Sequence, residues 1–484
     1  MNFGSVFYLL GRLLLAITAA LVIPAAVSYY NGSHDFVAFL ISAGISGTAG
    51  LVLQRVFKPR RELSLGRREA FVLVAAAWVM ASLMGAVPWV LIKGPGFAID
   101  AIFESTSGFT TTGASILDNI EGQPVGLLLW RSLTHWLGGM GIIVLGIAIL
   151  PKLAVGGMEL LGAEAPGPTT EKLTPRIAQT AKALWGIYAL LTLLEALALM
   201  ALGVTPLTAV NHAMATMATG GFSTLNTSVT GFDSFAIEMV IVLFMILAGS
   251  NFALHFKLLR GRPGPLFRDN EFRFYIGLLL VVTALLMADL RLNNDEGLID
   301  AFRHAVFQST AIVTTTGFAT ADFDSWPHFS RALLFMMMFV GGCAGSTGGS
   351  VKVARLMIVL RKMTADLKKI LRPHAVIPVR VGDRAIPESV VTSVTTFFIL
   401  FLSLFAFGGL ALSMLGYDMI TAFSASAACL GNIGPGFNMV GPMQNYGFFK
   451  PAAKLILVAM MIIGRLELYT ILVMLFVRPR RWRR

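Results

Sequence analysis

The stretch STSGFTTTGAS, from Ser105 to Ser115, recurs in weakened form three more times along the chain. The copies are MATGGFST at 217–224, VTTTGFAT at 313–320 and LGNIGPGF at 430–437. Their glycines lie about 100 residues apart, which is longer than a solenoid repeat and suits a repeated domain. Each copy follows a short apolar segment and precedes a long one. The sequence therefore predicts four similar units.

The composition indicates a membrane protein. Of the 484 residues, 56% are hydrophobic and only 13% are charged, whereas soluble proteins carry about 25% charged residues. We therefore predict an all-α polytopic membrane protein that is surrounded by the lipid bilayer. The formal net charge of +12 comes from short basic runs between apolar spans, as in cytoplasmic loops. Nucleic acid is therefore not expected as a partner.

Two plain spans come before the first unit, at about Ser5–Ser28 and Phe36–Phe57, and we assign them to residues 1–68. Their connector at 30–35 contains no Lys or Arg, whereas the next connector, 58–68, is strongly basic. By the positive-inside rule, the basic connector faces the cytoplasm. The N-terminus is then cytoplasmic as well.

Each unit is predicted to contain a first span, a short re-entrant helix, an extended turn and a second span. The short segments cannot cross a bilayer, which requires about 20 residues. The units are assigned to residues 69–152, 153–262, 263–384 and 385–484. The predicted segments are first spans at Ala70–Ile92, Ile177–Leu202, Phe272–Leu290 and Ser389–Leu415, short helices at Ala98–Thr110, Pro206–Met217, Leu298–Val313 and Met419–Cys429, and second spans at Val125–Leu150, Phe235–Leu258, Phe329 onward and Ala452–Phe476.

The charges agree with this layout. Basic residues dominate the linkers between the units and the tail at 478–484, whereas acidic residues flank the turns. All four turns therefore lie on the side opposite the bases, and the C-terminus is cytoplasmic. Ten spans result.

Four glycine-bearing turns at membrane depth can direct backbone carbonyls at a dehydrated cation. Glycine suits such a turn because it adopts positive φ angles readily. A short helix in front of each turn would direct the negative end of its dipole toward the same point. The four turns together therefore predict a cation pathway.

These units, together with the stretch GGCAGSTGG at 341–349, resemble the Trk/Ktr/HKT superfamily of potassium transporters over essentially the whole chain. The resemblance implies four M1–pore-loop–M2 repeats that form a pseudo-fourfold channel, a homodimer in a bacterial inner membrane, and a cytosolic TrkA-like partner that binds nucleotides. It implies potassium as the transported ion, no organic cofactor and no enzymatic activity. The implied filter residues are Thr111, Thr112, Gly113, Thr219, Gly220, Gly221, Thr315, Thr316, Gly317, Asn432, Ile433 and Gly434. The register stays open by one residue in the second turn, and the fourth turn departs most from the pattern.

The stretch 341–350 interrupts what would otherwise be a long helix. It holds five glycines, and each costs about 1 kcal/mol relative to alanine in a helix. We predict an intramembrane loop that obstructs the pore and moves on gating; a small-residue packing surface and a plain loop are the alternatives. The gating residues are predicted to be Gly341, Gly342, Gly345, Ser346, Thr347, Gly348 and Gly349.

Arg465 lies deep in the last span, where a charge is costly unless it faces the pore or a partner. We expect it to be a gating residue that places positive charge near the filter and lowers cation occupancy. The alternative is a structural pair with Glu467 or Glu195. Lys454, in the same span, is expected to extend to the outer interface.

The preferred function is gated uptake of potassium and rubidium by a transmembrane subunit. A proton- or sodium-coupled symporter is a second possibility, although the turns carry no titratable side chain of the kind that coupling usually needs. A third is the channel-like subunit of a potassium-pumping ATPase, whose catalytic partner would be separate because this chain lacks a Walker-type loop. The basic linker Lys352–Arg384 could dock a protein partner or bind anionic lipid.

Overall fold

The computed structural model describes residues 3–59, 66–148, 173–382 and 384–466. Within these ranges the chain is helical apart from its loops and one antiparallel hairpin, β1 (Arg380–Val381) with β2 (Arg384–Ala385). Helices α1 (Phe3–Tyr30) and α2 (Phe36–Val56) pack against each other before the first unit begins. Six helices in the described ranges are long and apolar enough to cross a membrane, or seven if one bent pair is counted as a span.

Four units follow in the predicted order. Their helices are α3 (Arg67–Lys93), α4 (Ala98–Phe109) and α5 (Val125–Ala148); α6 (Leu173–Ala201), α7 (Pro206–Met217), α8 (Phe235–Ala248) and α9 (Phe252–Leu259); α10 (Gly264–Arg268), α11 (Asn270–Asn293), α12 (Leu298–Val313), α13 (His328–Met337) and α14 (Val353–Leu371); and α15 (Glu388–Met414), α16 (Met419–Leu430) and α17 (Pro451–Arg465). Short 3-10 turns occupy Pro95–Phe97, Ser228–Phe232, Phe323–Ser325 and Asn438–Val440. The division into residue ranges stays a prediction. The predicted ends at Leu150 and Phe476, the basic tail and residues 60–65 and 149–172 lie outside the described residues.

The four short helices, which we call the pore helices, are α4, α7, α12 and α16. They contain 12, 12, 16 and 12 residues. At about 1.5 Å per residue they reach roughly 18–24 Å, less than the ~30 Å hydrocarbon core. The C-terminal half of each is buried, so each pore helix ends inside the protein.

The prediction of one continuous span at Phe235–Leu258 was wrong. Helices α8 and α9 meet at a bend of 101° around Gly249 to Asn251. The Asn251 side chain caps α9 by accepting a hydrogen bond from the Ala253 amide. The freed carbonyl of Gly249 accepts from the Cys343 amide (2.8 Å). A broken helix at membrane depth is tolerated when protein satisfies its backbone in this way.

The third unit contains the interruption that its glycines predict. Helix α13 ends at Met337 and α14 begins at Val353. We call residues 338–352 the intramembrane loop. The Gly341 amide donates to the Val351 carbonyl (2.8 Å), so the two ends of the loop lie side by side. Both cysteines, Cys343 and Cys429, are buried and free.

Candidate functional site

The four turns share one backbone conformation. In each, the repeated glycine and the residue two positions before it have positive φ angles. These residues are Thr111, Thr219, Thr315 and Asn432, at +51° to +59°, and Gly113, Gly221, Gly317 and Gly434, at +75° to +102°. Residues other than glycine adopt such angles uncommonly. Their recurrence at the same place shows that the turns are structurally equivalent.

The turns contact one another in a closed ring. Beside the α-carbon of each repeated glycine lies a backbone carbonyl of the next turn, less than 3.0 Å from where a side-chain carbon would be. The pairs are Gly113 with Gly220, Gly221 with Thr316, Gly317 with Ile433, and Gly434 with Thr112. The cyclic order of the pairs makes the arrangement pseudo-fourfold. Glycine is required because any side chain would collide with the neighbouring turn.

One amide group of each turn is bonded to the pore helix in front of it. The residue before each repeated glycine donates its N–H to a carbonyl of its own pore helix at 2.8–2.9 Å. The donor and acceptor pairs are Thr112 to Ser107, Gly220 to Ala215, Thr316 to Ala311, and Ile433 to Ala428. Since these donors are satisfied by the helices, the turns can offer carbonyl oxygens and threonine hydroxyls to an ion.

One cavity opens onto all four repeated glycines. It has a volume of about 80 Å³ and is also lined by Arg131, Phe222, Pro435 and Tyr446. A single cavity that reaches every turn shows that the turns surround a common axis. In the described ranges, no cluster of three or more His, Cys, Asp or Glu side chains could hold a metal ion, so a cation site here would rest on backbone oxygens.

The intramembrane loop lies at the other end of the turns. The Thr347 hydroxyl donates to the carbonyl of Met217, the last residue of a pore helix (3.1 Å). The Gly349 amide donates to the Thr315 hydroxyl within the third turn (2.7 Å). The cavity adjoins the repeated glycines and the residues that follow them, whereas the loop contacts residues that precede them. The loop therefore lies on the side of the turns away from the cavity.

Arg465 connects this loop to the first unit. Its Nη1 donates to the Thr347 carbonyl (2.8 Å), and its Nη2 donates to the Gly138 carbonyl (3.3 Å). The side chain is buried. Glu195 is buried too, and its carboxylate has no hydrogen-bond partner in the described ranges. The alternative pairing of Arg465 with Glu195 was therefore wrong, and Glu467 lies outside the described residues.

Comparison with known proteins identifies the family of this chain. The family model of the cation transport protein TrkH matches residues 48–482. The chain belongs to the TrkH family. It is 39% identical to the Trk system potassium uptake protein TrkH of Salmonella typhimurium, over 100% of both chains. It is 34% identical to TrkG of Escherichia coli, covering 91% of this chain and 90% of the relative.

A solved TrkH structure has the same fold. The crystal structure of the potassium transporter TrkH from Vibrio parahaemolyticus matches with a TM-score of 0.91 and 36% identity over 100% of both chains. The predicted fold class, an all-α multi-pass membrane protein with four repeats after two extra helices, is therefore confirmed.

In this TrkH-family protein, all twelve predicted filter residues lie in the ring. The one-residue ambiguity of the second turn resolves to Gly221, which contacts the next turn as the other repeated glycines do. In the fourth turn, Gly434 occupies the same position. The role of these residues as ion ligands, and the role of residues 341–349 and Arg465 in gating, stay predictions.

The placement of Lys454 at the outer interface stays a prediction. Its side chain is only 7% exposed, and its ammonium group pairs with Asp100 in the first turn of the first pore helix. The two residues are 354 positions apart in the chain, so only the tertiary structure reveals the pair.

Sequence reasoning also missed Glu271 near the start of α11. Its Oε1 accepts hydrogen bonds from the Ala344 amide in the intramembrane loop (2.6 Å) and the Ala354 amide in the first turn of α14 (3.1 Å). The carboxylate thus ties the loop to the helix that follows it. The available signal was a pair of acidic residues, Asp269 and Glu271, in a linker that is otherwise rich in arginine.

Proposed function

We propose that this chain is the transmembrane subunit of a potassium uptake system, which passes potassium and rubidium down their electrochemical gradient. The observation that carries the proposal is the closed ring formed by the carbonyls of Thr112, Gly220, Thr316 and Ile433 against the repeated glycines. The names of the relatives, which describe potassium uptake and transport, support the choice of ion.

Selection in this proposal is a property of the backbone. Carbonyl oxygens replace the hydration shell of the entering ion, and the C-terminal ends of four pore helices add negative potential at the same place. The turn amides are bonded to the pore helices, which limits how far the carbonyls can move. The twelve filter residues include no acid, base or histidine, which favours conduction over proton coupling.

The intramembrane loop is proposed as the gate. It obstructs the axis, and its contact with Arg465 through the Thr347 carbonyl is a bond that opening would break. The Arg465 guanidinium would also repel cations that have passed the filter. Glu271, which joins the loop to α14, would transmit a movement of α14 to the loop.

The assembly and placement of the chain are proposed by analogy with the family. The protein would be a homodimer in the bacterial inner membrane, with both termini in the cytoplasm. A TrkA-like nucleotide-binding partner would bind the cytoplasmic face. A cleft of about 580 Å³ lined by Arg273, Arg361 and Arg380 offers positive charge for an acidic partner surface. Anionic lipid would be attracted by the same charge.

The proposal is tested by ion flux into liposomes that contain only the purified chain. A membrane potential is imposed, the pH is equal on both sides, and uptake of potassium, rubidium, sodium and lithium is compared. Uptake of potassium and rubidium over sodium and lithium, without a proton gradient, is expected. Flux that requires a proton or sodium gradient would replace the proposal with a symporter.

If the purified chain shows no flux, a second measurement distinguishes a closed gate from a chain that does not conduct. The intramembrane loop would then be released by Arg465→Met, which removes its bond to the loop. Selective flux in that variant supports conduction behind a closed gate. No flux under any gradient in either protein would contradict the proposal and favour the subunit of a pump.

A further inference from the structure

The four units carry different side chains at one buried position behind the ring. Nine residues before the repeated glycine, each pore helix carries a different side chain: Glu104, His212, Gln308 and Ala425. All four are at most 1% exposed. Two residues after the glycine, the units carry Ser115, Ser223, Ala319 and Gly436. The structure brings these two positions together in the first two units.

In the first unit, a carboxylate holds the end of the turn. Glu104 accepts hydrogen bonds from the Ser115 hydroxyl (3.0 Å) and the Ile116 amide (3.0 Å). It also accepts from Nε of Arg131 (2.8 Å) on α5. The side chains of this ion pair are 0% and 2% exposed. Hydrogen bonds between charged groups are strong when they are buried away from water, and they hold the bonded groups in a defined geometry.

Arg131 extends the contact to the second unit. Its Nη1 donates to the Ser223 carbonyl (2.9 Å), 92 positions further along the chain. Its guanidinium also lies 4.1 Å from the centre of the Phe222 ring, next to Gly221. His212, which occupies the Glu104 position of this unit, contacts the Ser223 hydroxyl through Nε2 (3.1 Å). One cationic side chain therefore joins the outer ends of two neighbouring turns.

The third and fourth units lack this arrangement. Neither amide atom of Gln308 has a hydrogen-bond partner in the described part of the chain, and the facing position, Ala319, has no hydroxyl. Ala425 and Gly436 have no polar side-chain atoms at all. The fourth turn is held instead by the Tyr446 hydroxyl, which donates to the Gly434 carbonyl (2.7 Å). The backbone of the ring is therefore fourfold, whereas the side chains that hold the turns in place differ from unit to unit.

We propose that Arg131 and Glu104 are positioning residues that determine ion discrimination, because their buried pair fixes the distance between the first and second turns. The inference rests on the proposed function of the ring as a potassium filter. Sodium is smaller than potassium, so the carbonyls must close in to coordinate it. The Glu104–Arg131 ion pair connects the first and second turns, so it opposes that contraction where these two turns meet.

The test compares ion discrimination in neutralised pairs. Glu104→Gln alone would leave the Arg131 charge buried without its partner, which destabilises a fold strongly, so both residues are replaced in Glu104→Gln/Arg131→Met. The matched control is Glu238→Gln/Arg303→Met. That ion pair is joined by two hydrogen bonds, at 2.6 and 2.7 Å, and connects α8 to α12. The rubidium-to-sodium uptake ratio is measured in liposomes for each folded protein.

We expect the ratio of the Glu104/Arg131 variant to fall by about tenfold, equivalent to about 1.4 kcal/mol of lost discrimination. The control should keep the wild-type ratio. If the wild type is selective and the Glu104/Arg131 variant keeps the same ratio, the proposed positioning role of the ion pair is wrong. The filter proposal would then remain intact. A wild type without selectivity would overturn the filter proposal itself.

If the double variant fails to fold, Ser115→Ala decides. Ser115 bridges the pair through its hydroxyl, which donates to Glu104 and accepts from Nη2 of Arg131 (3.3 Å). Its loss leaves both charges in place, so folding should be retained. The expected fall in the ratio is about threefold, smaller than in the double variant because the direct Arg131–Glu104 hydrogen bond stays in place. An unchanged ratio in this variant would contradict the proposal.

Discussion

Replacing Gly113 by serine is expected to weaken discrimination against sodium. Gly113 has φ +82°. A residue with a side chain in this left-handed region raises the conformational energy of the fold by about 1–2 kcal/mol. The new carbon would also lie less than 3.0 Å from the Gly220 carbonyl oxygen. Nonbonded carbon contacts settle at about 3.5–4.0 Å, so the neighbouring carbonyl must retreat by about half an ångström or more.

That displacement opens the ring at one junction, and the ring loses the oxygen spacing that suits potassium. If 1.4 kcal/mol or more of discrimination is lost, the rubidium-to-sodium uptake ratio falls by about tenfold or more. The assay is competitive uptake into liposomes under an imposed potential. The matched control is Gly277→Ser in α11, where a side-chain carbon would meet nothing within 4 Å.

A folded Gly113→Ser protein with the wild-type ratio would refute the reasoning, because the ring would then tolerate a displaced carbonyl without losing selectivity. A lower ratio in the Gly277→Ser control would show that the assay reports general disturbance of the fold. Since the ring is closed, serine at any of the other three repeated glycines is expected to act in the same direction.

Three further predictions concern the groups around the ring. Arg465→Met removes the bond to the Thr347 carbonyl and should raise rubidium flux through the isolated chain severalfold; unaltered flux would count against the loop as a gate. Glu271→Ala removes two hydrogen bonds to the loop and α14, so thermal unfolding should show a loss of about 2 kcal/mol, with higher basal flux. Asp100→Asn leaves the Lys454 ammonium, whose side chain is only 7% exposed, without its charge partner and should cost about 3 kcal/mol of unfolding free energy. Lys454→Met leaves Asp100, 28% exposed, in reach of water and should cost about 1 kcal/mol. Equal losses for these last two variants would contradict the burial argument.

The local elements of the fold were predictable from the sequence. The pore helices at Pro206–Met217 and Leu298–Val313 have the expected bounds, since a polar, glycine-bearing turn ends each apolar segment. The register of the turns was predictable because four glycines recur about 100 residues apart, and the lack of space beside Gly221 and Gly434 gives its physical reason.

Features that depend on distant partners were not predictable. The sequence around Gly249 is apolar on both sides and is therefore typical of one span. The carbonyl that is freed at the break accepts a hydrogen bond from the Cys343 amide, almost a hundred residues later. Arg131 is one basic residue near the start of α5, and its contact with Ser223 exists only because neighbouring units form a ring. A periodicity reveals which residues share a helix face but not which carbonyl a distant side chain will meet.

The central claim is that backbone carbonyls of the four turns bind potassium-like ions on one axis. The most direct measurement is anomalous X-ray diffraction from crystals of the full chain grown in rubidium, with matched crystals grown in sodium. The account predicts a rubidium peak between the carbonyls of Thr112, Gly220, Thr316 and Ile433, and no ordered ion at that position in sodium. Rubidium bound elsewhere, with no peak between these carbonyls, would contradict the account.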